Sequence, residues 1–359
     1  MFGFNKPTFL GIDFGTSSIK AVELSVEGEK ILLRNYAEIN LSTIERGEND
    51  TQGNYDARVT AYLRALLDRL QPKTKEVYVA MPAFIGLVAL VEFPKMSEKE
   101  LQEAIQFEAH KYIPSPLEEV ALSWEIVGET IVTPSDAEAP AKSRIEVLLV
   151  AALNKEVERY ESYVRSVEFD MQLLELETFS LVRSVVDGDP GVFLVVDIGS
   201  RATNLVLVEN GLVKVSRNLD VGGRDVTRTL IEGLNIAEDR AEALKKSTKD
   251  YLNVSGGPQL IFPALETIGS EIERVITMHR SKHPDRPVSG IILSGGTAGL
   301  TGLTTYYQTR CNLPVTVGNP WMRVAYPTEL EEAIGRMGTS FSVALGLALQ
   351  GANRALKKK

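Results

Sequence analysis

Apolar positions in this chain gather into short, nearly continuous runs punctuated by glycine, and two of these runs share one shape. Phe9-Leu10-Gly11-Ile12-Asp13-Phe14-Gly15-Thr16 recurs 184 positions later as Phe193-Leu194-Val195-Val196-Asp197-Ile198-Gly199-Ser200. Each copy is an apolar run ending in aspartate, then one residue, a glycine and a hydroxyl residue. A second apolar run follows each turn, Ile19 to Val26 in one case and Thr203 to Val208 in the other, so both copies read as β-hairpins. Because the offset is about half the chain, the pattern predicts two homologous lobes that open with the same hairpin.

Periodicity elsewhere predicts mixed α/β lobes, with sheets covered by helices. Strands are expected near 8–13, 19–26, 30–39, 77–81, 192–197, 203–208, 212–217 and 289–293. Helices are expected near 55–70, 155–167, 177–187, 223–234, 237–246, 263–282 and 340–355, the second capped by Asn154. Residues 83–153 interrupt the repeat with a segment of their own. It holds an apolar run from Phe84 to Phe93, and then a helix with Ser97 and Glu100 as a capping box and Leu101, Ala104, Ile105 and Tyr112 as its apolar stripe. Two strands follow, near 120–127 and 144–152, joined by a polar, proline-bearing loop at 133–140. The expected organisation is a first lobe of 1–82, 154–190 and 336–359, an inserted strand-helix-strand-strand subdomain at 83–153, and a second lobe at 191–335.

Composition narrows the functional classes. A net charge of −9 argues against general binding to a nucleic-acid backbone, which needs a basic face. The basic end, Arg354 and Lys357 to Lys359, reads as solvated rather than as a membrane patch. Cys311 is the only cysteine, so no intrachain disulfide forms and a reducing compartment is expected. The chain start lacks a secretion-signal pattern, and no apolar run reaches the roughly 20 residues that span a bilayer. His110, His279 and His283 have no companions at zinc spacing.

The two turns carry the candidate chemistry. Glycine lets backbone N–H groups close on an anion, and the first turn, Gly11 to Ser18, adds Thr16, Ser17 and Ser18 as hydroxyl donors beside Gly15. Lys20 offers a point charge to a phosphate. Asp13 would repel phosphates unless a cation intervened, which suits a water-mediated hold on Mg²⁺. The second turn repeats this logic with Asp197, Gly199, Ser200, Arg201, Thr203 and Asn204. Either turn alone is equally well a tight hairpin with a solvated aspartate; the pair points to a triphosphate clamp. Gly295-Gly296-Thr297 after an apolar strand would let a flat base or ribose lie against backbone and start a helix. Glu242 and Lys245, three apart, share a helix face and form either a surface pair or a nucleoside contact. Gly222 and Gly223, at the start of the 223–234 helix, complete the candidate cofactor contacts.

In this order the motifs resemble the actin-like ATPase superfamily. Met1 to Phe4 with Lys20-Ala21-Val22-Glu23-Leu24, the segment Phe107 to Pro114, and Glu175-Leu176-Glu177 followed by Phe179 to Arg183 further resemble the PilM family of type IV pilus assembly proteins, related to FtsA. The resemblance implies a two-lobed fold of duplicated RNase H-like lobes with an FtsA-like insertion. It implies that Asp13 and Asp197 position Mg²⁺ through water, and that Glu242 and Lys245 lie by the ribose and purine of ATP. It also implies a cytoplasmic scaffold at the inner face of the membrane, binding the cytoplasmic N-terminal tail of PilN near Ala83–Ala89 and 101–114, alongside other inner-membrane pilus assembly proteins. FtsA-like proteins carry a terminal amphipathic anchor, which is expected to be absent here. Glu175, Glu177 and Asp197 are the candidates for orienting an attacking water, with slow turnover expected. A small-metabolite kinase or an FtsA-like filament protein are the competing classes on the same fold.

Overall fold

The computed structural model describes residues 6–41, 51–113, 115–132, 142–186, 188–253 and 260–357; the loop expected at 133–140 lies outside them. The chain opens with β1 (Thr8–Phe14), β2 (Ser18–Glu27), β3 (Lys30–Asn40), α1 (Gln52–Leu70) and β4 (Glu76–Met81). It continues through β5 (Gly86–Pro94), α2 (Glu98–Ala109), β6 (Val120–Val132) and β7 (Lys142–Leu153). Then come α3 (Asn154–Ser166), β8 (Asp170–Leu176) and α4 (Glu177–Val185). The second half runs β9 (Val192–Ile198), β10 (Thr203–Glu209), β11 (Leu212–Leu219), α5 (Gly223–Leu234), α6 (Glu238–Lys245) and α7 (Pro263–Lys282). It closes with β12 (Gly290–Ser294), α8 (Leu303–Cys311), β13 (Val315–Val317), α9 (Glu331–Met337) and α10 (Ser342–Lys357).

The repeat read from the sequence is a repeat in space. One five-stranded sheet has the order β3-β2-β1-β4-β8 and the other β11-β10-β9-β12-β13, so each is a three-strand antiparallel meander extended by two parallel strands. Strands buried on both faces read as nearly unbroken apolar runs. Thus Leu10, Ile12 and Phe14 pack under α1 and α3, while Phe9 joins the core on the other face. In the second sheet Leu194, Val196 and Ile198 face α5 and α7, and Val195 faces the first lobe.

Two helices fill the space between the sheets. Helix α10 lies on β1, β2 and β4, and α4 packs on both α10 and β10. They approach closely because glycines stand at the contacts. A Cβ on Gly346 would sit 1.9 Å from the Ser180 carbonyl oxygen, and one on Gly11 would sit 2.1 Å from that of Ala344.

The inserted segment is a three-stranded antiparallel sheet, β5-β7-β6, covered by α2. Ser97 and Glu100 form the expected capping box, with the Ser97 N–H donating to the Glu100 carboxylate at 2.9 Å. The segment also leans on the second lobe: Lys214 of β11 donates to Glu146 of β7 at 2.5 Å.

Three local expectations need correction. Asn154 does not cap α3; its predecessor Leu153 is still paired with Val120 in the sheet, and the Asn154 amide donates instead to the Glu118 carbonyl at 3.0 Å. The helix after Gly295-Gly296 does not start there: a turn intervenes and α8 begins at Leu303. Tyr112 is not on the apolar stripe of α2: the helix ends at Ala109 and Tyr112 is exposed. Strand β8 has no clear sequence signal, because Asp170, Gln172 and Glu175 interrupt its apolar pattern.

Candidate functional site

Both aspartates stand near the ends of the central strands, at matching positions. In the β1–β2 ladder Asp13 lies opposite Lys20; in the β9–β10 ladder Asp197 lies opposite Asn204, the residue the same offset carries Lys20 onto. The duplicated register therefore places a cation in one lobe and a neutral amide in the other. Lys20 donates to Ser18 Oγ at 2.8 Å and lies 3.6 Å from Glu38. Asn204 donates to Thr178 Oγ1 at 3.0 Å, tying β10 to α4.

Glu177 is brought to the same place as the first residue of α4. Its Oε1 accepts the Ala83 N–H at 2.9 Å, so it touches the point where the inserted segment departs. Burial pushes the Asp13 carboxyl up to about 6, against the attraction of Lys20 and with Asp197 and Glu38 raising it further. Burial likewise lifts Asp197 to about 6, with the Ser294 hydroxyl and Lys20 opposing. Glu177 rises furthest, to about 8, through burial and then the charges of Asp197 and Asp13. Burial is the leading cause at all three, and repulsion between carboxylates adds to it at Asp13 and Glu177.

Glu175 is not part of this cluster. Arg183 engages both its oxygens, at 2.8 and 2.9 Å, and also donates to the Gly346 carbonyl, so the pair fastens β8 and α4 to α10. Both its oxygens are thereby engaged in a clamp between β8, α4 and α10.

The second turn is braced from two sides. Gly223 N–H donates to the Gly199 carbonyl at 2.8 Å and Arg224 N–H to that of Ser200 at 2.9 Å, while Gly222 N–H donates to the Asp225 carboxylate at 3.0 Å. Gly222 and Gly223 thus hold the turn, their own N–H groups already engaged. Behind the turn, Gly295 has φ of 85°, and a Cβ there would meet the Ile198 carbonyl oxygen at 2.5 Å. Its carbonyl accepts from Thr339 at 2.8 Å. The Thr297 hydroxyl stands where a Cβ on Gly223 would be, 2.4 Å away. Thr203 is committed to the Val221 carbonyl at 2.8 Å.

Glu242 and Lys245 do face one another, at 2.7 Å, and Thr227 bonds to both. Lys245 is buried and also donates to the Gly223 carbonyl at 3.2 Å, so this network reaches the second turn through α5. Thr178, Thr227 and Thr339 are connecting residues that sequence reasoning did not single out. Their flanking residues share no pattern, and each hydroxyl acquires meaning only once its distant partner is placed.

Among the described residues no group of three or more His, Cys, Asp or Glu side chains is positioned to hold a metal ion directly. The residues present fit a hydrated Mg²⁺ instead, since that ion keeps several waters and needs few protein oxygens. Glycine-bearing turns with hydroxyl side chains, one lysine and two aspartates are suited to a polyphosphate with its cation.

Two five-stranded sheets of identical strand order, joined by α4 and α10 around paired Asp-bearing turns, define the actin-like ATPase fold. The model of the family "Type IV pilus assembly protein PilM" matches residues 11–352, and the chain belongs to that family. Among solved structures, a PilM-PilN type IV pilus biogenesis complex matches at 25% identity and a TM-score of 0.77, covering 96% of this chain and 98% of that one. The ethanolamine utilization protein EutJ of Carboxydothermus hydrogenoformans shares the fold at 16% identity and a TM-score of 0.52, over 96% and 90% of the two chains. An archaeal actin homolog of Thermoplasma volcanium is 27% identical over 175 residues, 45% of this chain. That stretch spans about half, 53%, of the archaeal protein's own length.

Proposed function

We propose that this protein is an ATP-dependent scaffold of type IV pilus assembly that binds the N-terminal tail of a PilN-type membrane protein at the inner face of the cytoplasmic membrane. The observation that carries the reading is the full-length likeness to the PilM chain solved with PilN. No helix among the described residues is long and apolar enough to cross a membrane, so attachment through a partner suits it. In this reading the first lobe (1–82, 154–190 and 336–359) and the second (191–335) grip the nucleotide, and the insertion at 83–153 helps receive the tail.

The chain's residues divide the work. Mg²⁺, held through water by Asp13 and Asp197, would screen the phosphate charge. Lys20 adds the positive charge that the three carboxylates lack, and the Gly15–Ser18 and Gly199–Arg201 turns offer N–H and hydroxyl donors. Glu242 and Lys245 stand by for the nucleoside, and Gly295 to Thr297 for the base. Glu177, next to both aspartates and not paired with an arginine, is the best-placed acceptor for orienting a water. Its carboxyl is pushed up to about 8 in the nucleotide-free fold, so near neutral pH only a minor fraction is ionised to accept a proton, and slow turnover is expected.

The deciding experiment is a titration of the purified protein with a PilN N-terminal peptide in the presence of Mg-ATP, Mg-ADP or no nucleotide. Saturable binding supports the scaffold reading. No binding in any state, together with ATP consumption driven by a small hydroxylated substrate, would replace it with a kinase.

A further inference from the structure

The second turn carries one charge that its repeat partner lacks. The offset that superimposes the two turns places Arg201 where the first turn has Ser17. Among the described residues its ion-pair partner is Asp220, at 3.2 Å, with both side chains mostly exposed, so that pair holds it weakly. The guanidinium also stands 5.7 Å from the centre of the Phe84 ring. Phe84 is itself unusual, a large apolar side chain left 42% exposed. It belongs to a single 3-10 turn, Ala83–Ile85, that begins the inserted segment, and its neighbour Ala83 donates to Glu177. Adjacent residues at the root of the insertion therefore touch the carboxylate cluster on one side and the second turn on the other. The same insertion is joined to the second lobe by Lys214–Glu146, six residues along the sheet from its root.

We propose that Phe84 is a positioning residue for Arg201: its ring parks the guanidinium at the rim of the second turn, and the terminal phosphate of a nucleoside triphosphate competes for it. This rests on the nucleotide reading above. An exposed cation–π contact is weaker than a charge-assisted bond from arginine to phosphate, so a triphosphate draws Arg201 off the ring. Release of the ring then reports the state of the cleft to the insertion. A diphosphate, lacking the last phosphoryl group, leaves Arg201 where it is.

The test is a set of equilibrium titrations of ATP and ADP, each with Mg²⁺, against the full chain and its Phe84 variants. Phe84→Leu keeps an apolar side chain and removes the ring, and is expected to tighten ATP by about twofold to fivefold while leaving ADP unchanged. Phe84→Trp, with the stronger ring, is expected to weaken ATP relative to ADP. In an Arg201→Ala background both effects vanish, because the competition runs through that side chain. Equal shifts for ATP and ADP, or a Phe84→Leu effect that survives in Arg201→Ala, would overturn the proposal and leave the nucleotide reading standing. Absence of ATP binding by the wild type would overturn both.

Discussion

Glu177 is the residue at which the electrostatics of the cleft are most exposed to measurement. Its carboxyl has an ordinary value of 4.5 and is pushed up to about 8 in the fold, so between those limits the folded chain holds a proton that the unfolded chain has released. The stability this confers is fully present below about 4.5 and is lost as pH rises through about 8. Asp13 and Asp197 act in the same direction over a lower window, from 3.8 to about 6. Glu177→Gln is therefore expected to unfold at a higher temperature than the wild type at pH about 8 and at nearly the same temperature near pH 5, as thermal melts of the nucleotide-free proteins would show. If Glu177 orients the attacking water, the same variant should bind Mg-ATP and lose its phosphate release by about a hundredfold or more. A variant that keeps its hydrolysis would move that role to Asp197.

Helices α4 and α10 decide how the two halves meet, and they do so through glycine. Gly346→Ala would drive a Cβ to 1.9 Å from the Ser180 carbonyl, a contact that only backbone movement relieves. A loss of about 3 kcal/mol or more in chemical unfolding is expected, at the upper end of overpacking costs. Gly335→Ala in α9 is the matched control: no atom lies within 4 Å of its Cβ, and the helical position predicts a neutral or slightly stabilising change of up to about 1 kcal/mol. At this scale much was legible in the sequence. The hairpins announce themselves because each is an apolar run, a glycine turn and a second run, and the capping box of α2 is a local pattern. What stayed hidden was non-local. The bond from Asn204 to Thr178 and that from Thr339 to Gly295 join residues far apart in the chain, and neither has a sequence pattern of its own. Glu175 and Glu177 look interchangeable in the sequence; Arg183, eight residues after the first, claims it and leaves the second beside the aspartates.

At the scale of the whole molecule, the inserted sheet is joined covalently to the first lobe and by Lys214–Glu146 to the second, so any relative motion of the lobes must load it. If nucleotide and partner are coupled through this arrangement, the ratio of peptide affinities with ATP and with ADP must equal the ratio of ATP to ADP affinity changes caused by the peptide, because linkage is reciprocal. Paired titrations check this directly. A factor of about 5 to 150 is the usual span for such coupling, and a ratio of one would mean that the scaffold binds its tail without regard to nucleotide.

The pairing of Asp13 with Lys20 and of Asp197 with Asn204 has a consequence for what the cleft admits. One lysine among three acidic groups leaves a surplus of negative charge, which turns away a bare polyphosphate. The same groups provide no direct cage for a free divalent ion. On the proposed reading, nucleotide and magnesium would each be poorly received alone and accepted together, so the cleft would act as a coincidence detector rather than a simple phosphate trap. In EDTA the affinity for ATP is expected to collapse, and Asp197→Asn should recover part of it, a gain that an isothermal titration without magnesium would register.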